Sequence, residues 1–204
     1  MSLDSRLVNL AAVARKLVES GFVRGTGGSV SLRWEERCYL SPAGARLDRL
    51  SAADFVPLSI EGQNTWQLAR ASGESLSHLA CYRARPDVQT VLRIQPPHCL
   101  ALGCAGLGIG VISPDFYLAL GAEVPLLPYN TATTQTLADA VGQAIAEHDA
   151  VLLRNQGLVL VAGSSDEALL RSQVVEEAAQ IVLQAHAATG TCSFLTAEQI
   201  EALG

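Results

Sequence analysis

The sequence lacks an excess of positive charge. Lys and Arg total 14 against 20 for Asp and Glu, which gives a net charge of −6 and a pI near 5.2. A nucleic-acid groove needs a positive surface over many phosphates, so this balance argues against a nucleic-acid partner. A phosphorylated small molecule stays compatible with it, because a few backbone N–H groups can hold one phosphate whatever the global charge.

Long apolar runs and a leader segment are also lacking. No apolar run reaches the roughly 20 residues of a membrane span, and the N-terminus has no basic segment followed by an apolar core. We therefore expect a cytoplasmic protein without a membrane partner.

Paired cysteines are missing too. The chain has five cysteines, an odd number without a C-x-x-C pair, at Cys38, Cys81, Cys99, Cys104 and Cys192. This spacing supports neither a disulfide framework nor cysteine-bound zinc, and we expect buried free thiols.

Apolar residues, in contrast, are plentiful. They make up 49% of the 204 residues, and charged residues make up 17%. This composition predicts one folded domain, residues 1–204, with a continuous core.

The hydrophobic pattern predicts an α/β fold with a central, largely antiparallel sheet covered by helices. Two strand pairs are close enough in sequence for hairpins, one closed by "SIEGQN" through Glu61 and Gly62 and one by "RNQG". Predicted strands follow the first glycine-rich loop and span 38–40, 55–60, 88–94, 123–127, 150–153 and 158–161. Predicted helices span 3–17, 72–85, 97–104 and 135–147, with a helical turn at 115–120 and a long last helix after residue 164.

The helix ends carry recognisable signals. Gly21 is placed to end the first helix, and Ser72 is placed to cap the helix that Pro86 stops. Ser164 and Glu167 stand in capping-box relation at the start of the last helix. The apolar stripe predicted to bury that helix is Leu170, Val174, Ala178, Ile181 and Ala185.

A glycine-rich segment, "GTGGSVS", is the first stretch that suggests chemistry. Gly25, Gly27 and Gly28 allow close approach of backbone to a ligand, and Ser29 and Ser31 add hydroxyls. The segment follows a helix and opens a strand, the reverse of a dinucleotide-binding fingerprint. Its alternative interpretation is a tight helix-to-strand turn.

Glu74 and His78 form a second candidate pair. Glu74 is expected in the first turn of its helix, and His78 lies four residues later on the same face. This spacing suits a general acid/base pair or two metal ligands, although it also arises by chance.

The stretch "TVLRIQPPHCLAL" is the third candidate. It reads as a buried strand that meets two prolines and continues as a helix, with Arg93, Gln95 and His98 along its exit.

Taken in order, these stretches resemble the class II aldolase/adducin family. "GTGGSVSLR" resembles its G-T-x-G-N-x-S loop, and "LSPAGARLDRLSAADFV" resembles its T-P-[ST]-G loop with the following L and D. "SGESLSHLACYRARPDVQTVLRIQPPHCLALG" is similar to its S-S-E-x-x-x-H, R-P-D-x-x-x-V-x-H-x-H and H-[CS] segments. "VPLLPYNTATTQTLADAV" and "AVLLRNQGLVLVAGSSDEAL" are similar to its P-x-x-P-Y segment and L-L-x-x-H-G hairpin. The resemblance runs from Leu7 to Gln184.

The resemblance implies a three-layer α/β/α fold with a mainly antiparallel sheet, assembled as a homotetramer with active sites at subunit interfaces. It also implies a zinc held by three histidines, with a glutamate nearby, that polarises the oxygens of a ketose phosphate.

Carried over residue by residue, the glutamate is retained as Glu74, but the H-x-H pair falls on Arg93 and Gln95. The histidine of the H-G hairpin falls on Gln156. His98 matches an additional family histidine that is not usually a zinc ligand. Arginine has no lone pair to offer, and a neutral amide oxygen suits zinc poorly, so we expect no bound zinc and no other cofactor.

The loops of the resemblance supply the expected ligand contacts. Family residues are replaced by Ser29, Ala43 and Ala71, so phosphate affinity is expected to be weaker. The residues expected to bind substrate are Gly28, Ser29, Gly44, Ser72, Gln95 and Gln156.

Three functions remain open at this point. The first is a zinc-free homologue that binds a ligand or acts as a scaffold. The second is a metal-independent lyase or isomerase acting on a small hydroxy-carbonyl compound, with Glu74 as base, Arg93 as the enolate-stabilising cation, and His78 or His98 as proton carrier. The third is a sugar-phosphate aldolase whose metal has moved to Glu74, His78 and His98. The expected partners are a small phosphorylated or carboxylated sugar-like ligand and further copies of the chain.

Overall fold

The computed structural model describes residues 2–62 and 70–203. Seven strands of this part form one sheet in the order β3-β2-β1-β4-β7-β6-β5. All neighbours are antiparallel apart from the β5–β6 pair, which confirms the mainly antiparallel sheet. The strands are β1 Ser29–Trp34, β2 Arg37–Leu40, β3 Val56–Ser59, β4 Thr90–Ile94, β5 Leu126–Leu127, β6 Ala150–Leu153 and β7 Gly157–Ala162.

Helices cover both faces of the sheet. Those of the described part are α1 Leu3–Glu19, α2 Ser75–Ala84, α3 Pro97–Ala105, α4 Pro114–Leu120, α5 Gln135–Ile145, α6 Ser165–Thr189 and α7 Ala197–Glu201, with short 3-10 turns at Leu47–Arg49 and Ala52–Asp54. None of these helices is long and apolar enough to cross a membrane. The second half of the hairpin predicted at "SIEGQN" falls after Gly62, outside the described residues, so this call stays a prediction.

Two apolar cores result from the strand alternation. Successive side chains of a strand point to opposite faces, so Leu92 and Ile94 join the core beneath α1, α3, α4 and α6, whereas Val91 joins the core beneath α2 and α5. The three-layer α/β/α architecture follows from this division.

The first helix agrees with its predicted pattern. Leu7, Leu10, Ala14 and Leu17 are buried, and Gly21 follows the helix with a positive φ of 76°. Glycine adopts that conformation without steric cost, which explains why the helix ends there.

The stripe predicted to bury α6 was wrong at Leu170 and Ile181, whereas Ala178 is buried as predicted. Leu170 is 58% exposed and Ile181 is 44% exposed. The buried face is instead a row of mostly smaller side chains, namely Ala168, Leu169, Ser172, Val175, Ala178, Ala179 and Val182. Small side chains allow the close approach of α6 to α3, so the larger apolar residues are left on the outside.

The sheet topology brings three chain segments to one edge. Strand β4 is antiparallel to both β1 and β7, so the end of β4 lies beside the beginnings of its two neighbours. The register pairs Ser29 with Arg93 and Ile94 with Leu158. The glycine-rich loop, the exit of β4 and the β6–β7 turn therefore meet there.

Candidate functional site

A cavity of about 570 Å³ opens at this edge of the sheet. Its walls come from the glycine-rich loop, the start of α2, the exit of β4, the β6–β7 turn and the segment before α5. The lining residues are Thr26, Gly27, Gly28, Gly44, Ser72, Gly73, Glu74, Arg93, Gln95, Tyr129, Ala132, Asn155 and Gln156. Seven of the ten residues singled out from the sequence thus lie around one cavity.

Arg93 is the cation of this cavity. Its side chain is 6% exposed, and its Nη2 donates a hydrogen bond of 3.3 Å to Oε1 of Gln156. The Glu74 carboxylate lies 3.7 Å from the same nitrogen, which is an ion pair but too long for a hydrogen bond. Nε of Arg93 is buried and has no partner in the described part of the chain. Burial lowers the pKa of Arg93 and Glu74 raises it, yet a guanidinium stays protonated in a protein.

Gln156 holds Arg93 in place. Its Nε2 donates to the carbonyl of Asn130 at 2.5 Å while its Oε1 accepts from Arg93, so both halves of the amide are used. The turn that presents Gln156 requires Gly157, which has φ 107° and leaves no room for a side chain against the carbonyl of Ile94.

Glu74 lies before α2 and not in its first turn, because the helix begins at Ser75 and not near Ser72. Ser72 stabilises the turn before α2 through two hydrogen bonds. Its Oγ accepts from the Glu74 N–H at 3.3 Å, and its carbonyl accepts from the Ser75 N–H at 3.0 Å. Oε2 of Glu74 is buried without a partner among the described residues. The carboxylate therefore accepts no hydrogen bond within the described part of the chain.

His78 and Ser29 lie behind the wall of the cavity. Nε2 of His78 is 2.7 Å from Oγ of Ser29, and Nδ1 is 2.7 Å from Oγ of Ser31, which in turn is 2.8 Å from the Tyr82 hydroxyl. Burial, with a smaller contribution from Arg93, lowers the pKa of His78 to about 3. The imidazole is neutral and links α2 to β1. Neither His78 nor Ser29 is among the residues that line the cavity.

His98 is also directed elsewhere. Its Nδ1 lies 2.9 Å from Oε1 of Glu176, and the backbone N–H groups of His98 and Cys99 donate to the same carboxylate at 2.9 and 3.0 Å. Glu176 on α6 thus satisfies free N–H groups at the start of α3. The structure gives His98 a part in helix packing and no contact with the cavity.

Sequence reasoning missed several lining residues. Tyr129 and Ala132 belong to the "PYNTATT" segment, whose motif was recognised without a role for its residues. Asn155 has a positive φ of 60°, a conformation that asparagine adopts more readily than most residues. The "RNQG" turn therefore contained the signal for Asn155.

The residues present do not fit the zinc site that the resemblance implies. Arg93 has no lone pair, and both ends of the Gln156 amide are already hydrogen-bonded. Across residues 2–62 and 70–203, no three His, Cys, Asp or Glu side chains are grouped so that they could hold a metal ion. Glu74, His78 and His98 accordingly do not form a displaced site.

Comparison with known proteins identifies the fold family. A family model described as the Class II Aldolase and Adducin N-terminal domain matches residues 8–183. The chain belongs to this family. The predicted resemblance is thereby confirmed over nearly the same span.

Relatives in the class II aldolase family include named enzymes. The chain is 30% identical over 186 residues to the 5-deoxy-D-ribulose 1-phosphate aldolase of Bacillus thuringiensis, covering 90% of this chain and 87% of that protein. It is 28% identical over 195 residues to the L-fuculose phosphate aldolase of Escherichia coli, covering 92% and 90%.

Solved structures of the family share the fold. The L-fuculose-1-phosphate aldolase of Thermus thermophilus superimposes with a TM-score of 0.82 at 27% identity, covering 94% of this chain and 100% of that chain. YgbL of Klebsiella pneumoniae, a putative aldolase/epimerase/decarboxylase, gives a TM-score of 0.87 at 23% identity and covers 100% of both chains. The second likeness shows the α/β architecture alone.

Proposed function

We propose that this family member binds a small polar ligand in the cavity at Glu74 and Arg93 without using zinc. The observation that carries the proposal is the hydrogen bond from Arg93 to Gln156. These residues occupy two positions at which the resemblance places zinc-binding histidines, and a permanent cation there repels a metal ion.

Metal content tests this function. Protein purified without a histidine tag, incubated with zinc and desalted, is expected to retain well below one zinc per chain by inductively coupled plasma mass spectrometry. The triple variant Arg93→His, Gln95→His, Gln156→His is expected to retain about one, because three imidazoles beside Glu74 complete a four-ligand site.

The matched control replaces the same three residues with alanine. It opens the site equally without adding ligands, so it should retain no zinc, and thermal unfolding of both variants checks that they fold. Stoichiometric zinc in the wild-type protein would contradict the proposal.

A second function is favoured by the free carboxylate of Glu74. Because that group accepts no hydrogen bond from the described residues and lies beside Arg93, it can remove a proton next to a carbonyl group while the guanidinium stabilises the enolate. The cavity then serves a metal-independent lyase or isomerase. His78 and His98 lie outside the cavity, so the return of the proton also falls to Glu74.

We further propose that the chain assembles as a homo-oligomer, a tetramer by family resemblance. The outward row of α6 supports this, since Leu170 and Ile181 lie eleven residues apart on one face and are both exposed. A second copy of the chain would remove these side chains from water.

A further inference from the structure

The guanidinium of Arg93 has more donors than acceptors around it. It carries five N–H groups, and within the described part of the chain only the bond to Gln156 uses one of them. The Nε–H is sealed from the cavity, whereas the Nη end belongs to the cavity wall. A buried cation with so few partners is costly unless a further acceptor joins it.

Glu74 does not satisfy this requirement. It is the one carboxylate among the lining residues, and its nearer oxygen stays 3.7 Å from Nη2. Gln156 contributes no second acceptor, since its oxygen is already used and its nitrogen is bonded to Asn130. A ligand that enters the cavity can supply the missing acceptor.

The other lining residues of the described part are neutral, and several offer hydroxyl or amide groups. Thr26, Ser72 and Tyr129 bring hydroxyls, and Asn155 and Gln95 bring amides. The Ser72 Oγ accepts from the Glu74 N–H, and its own proton remains available to an acceptor on a ligand. These groups suit a ligand with several hydroxyls or a second anionic end.

We propose that the ligand carries a carboxylate, which the Nη end of Arg93 binds, and that it is a small hydroxy acid. A planar carboxylate accepts two parallel N–H bonds from a guanidinium, whereas a hydroxyl or carbonyl oxygen accepts only one at full strength. This inference rests on the zinc-free function proposed above, because a metal at this position would instead bind the hydroxyl and carbonyl oxygens.

Isothermal titration with two matched probes tests the inference. 3-Phosphoglycerate and glycerol 3-phosphate share a skeleton and differ in having a carboxylate or a hydroxymethyl group. We expect the wild-type protein to bind 3-phosphoglycerate at least about tenfold more tightly, the effect of a charge-assisted hydrogen bond in a shielded site. Equal affinities, or no binding of either probe at millimolar concentration, would overturn it.

Two variants test whether the preference for 3-phosphoglycerate depends on Arg93. Arg93→Gln is expected to remove the preference for 3-phosphoglycerate and to bring the affinities for the two probes within about twofold of each other, because glutamine cannot make two charge-assisted hydrogen bonds to a carboxylate. Arg49→Gln is the matched control and should keep the preference, since Arg49 is exposed and does not line the cavity. Equal weakening of both probes in Arg93→Gln would assign Arg93 to phosphate and refute the carboxylate.

A chelator separates this inference from the zinc-free function. The titrations are repeated after treatment with EDTA and desalting. An unchanged preference supports the contact with Arg93. Loss of the preference on chelation would show that a metal carries it, which overturns both the inference and the zinc-free function. Loss only in Arg93→Gln, with no metal found, supports both.

Discussion

Glu74 is the residue on which the two candidate functions differ. A binding protein needs its carboxylate only for charge and shape, whereas a lyase or isomerase needs it as a base. Its lack of hydrogen bonds to the described residues leaves the lone pairs of the carboxylate free for either use. Exchange of a substrate proton with solvent distinguishes the two.

Glu74→Gln tests whether this carboxylate acts as a base. With dihydroxyacetone phosphate in deuterated water, a base at Glu74 introduces deuterium next to the carbonyl, which proton NMR detects. We expect the exchange catalysed by the wild-type protein to fall at least about a hundredfold in Glu74→Gln, because the amide cannot accept the proton. Glu177→Gln, which alters an exposed carboxylate on α6, is the control and should keep the exchange rate. Absence of exchange in the wild-type protein would leave ligand binding as the function of the cavity.

Among the elements, α2 and β1 are joined by the buried imidazole of His78. Both ring nitrogens are within hydrogen-bond distance of serine hydroxyls on β1, and this contact supports the loop residue Gly28 that lines the cavity. The folded protein holds the ring neutral because its pKa lies near 3, whereas the unfolded chain titrates it near 6.5. Between about pH 3 and pH 6.5, the unfolded state therefore binds more protons than the folded state.

The prediction for these elements is a dependence of stability on pH. The contribution of His78 to the free energy of unfolding is fully present above about pH 6.5. It declines as the pH falls, by up to about 1.4 kcal/mol per pH unit. Urea unfolding from pH 8 to pH 4 measures it. His78→Gln is expected to be less stable at pH 7 but to show a flatter profile, because glutamine does not titrate.

His186→Gln serves as the comparison for this profile. His186 lies on α6 near its C-terminal end and is part of neither the buried network nor the cavity. It should keep the wild-type slope. An equally steep profile in His78→Gln would assign the pH dependence to other groups.

For the whole molecule, the outward row of α6 bears on assembly. Leu170 and Ile181 extend along the surface beside Val174, which is only partly buried. In a monomer, this second apolar row of the helix stays in contact with water, which is unfavourable. The proposed assembly would cover that row through a symmetric contact between copies.

We expect the whole protein to form an oligomer that persists when the protein is diluted. Light scattering after size exclusion should give a mass well above the 21.5 kDa of one chain. The double variant Leu170→Glu, Ile181→Glu is expected to lower the mass, because burying two charges in an apolar interface is costly. Gln173→Glu, an exposed change on the same helix, should leave the mass unaltered. A monomeric wild-type protein would refute the assembly.

The fold could largely be predicted from the sequence, because strand alternation and helix spacing are local signals. The stripe of α6 shows the limit of this reasoning. Leu170 and Ile181 have helical spacing, but periodicity does not say which of two apolar rows faces the sheet. The row of smaller residues is the buried one, since packing distance decides the outcome.

The candidate site was predictable where motifs fix the chain path and less so where side-chain direction matters. Glu74, Arg93 and Gln156 meet because their strands and turns end at one edge. His78 was paired with Glu74 on the assumption of one continuous helix. Glu74 is instead the residue before the helix, and the His78 ring is hydrogen-bonded to Ser29 and Ser31 on β1.

The Gln156 amide also limits how a site of this kind can be changed during evolution. It is tied to Arg93 on one side and to Asn130 on the other, so each of these partners depends on it. A single exchange of Gln156 for histidine would leave the guanidinium in place and the metal still repelled, and a single exchange of Arg93 would leave too few ligands. Each one-step change thus gives up the present contacts without gaining a metal. Passage between a zinc enzyme and a protein of this type therefore requires more than one substitution at this site.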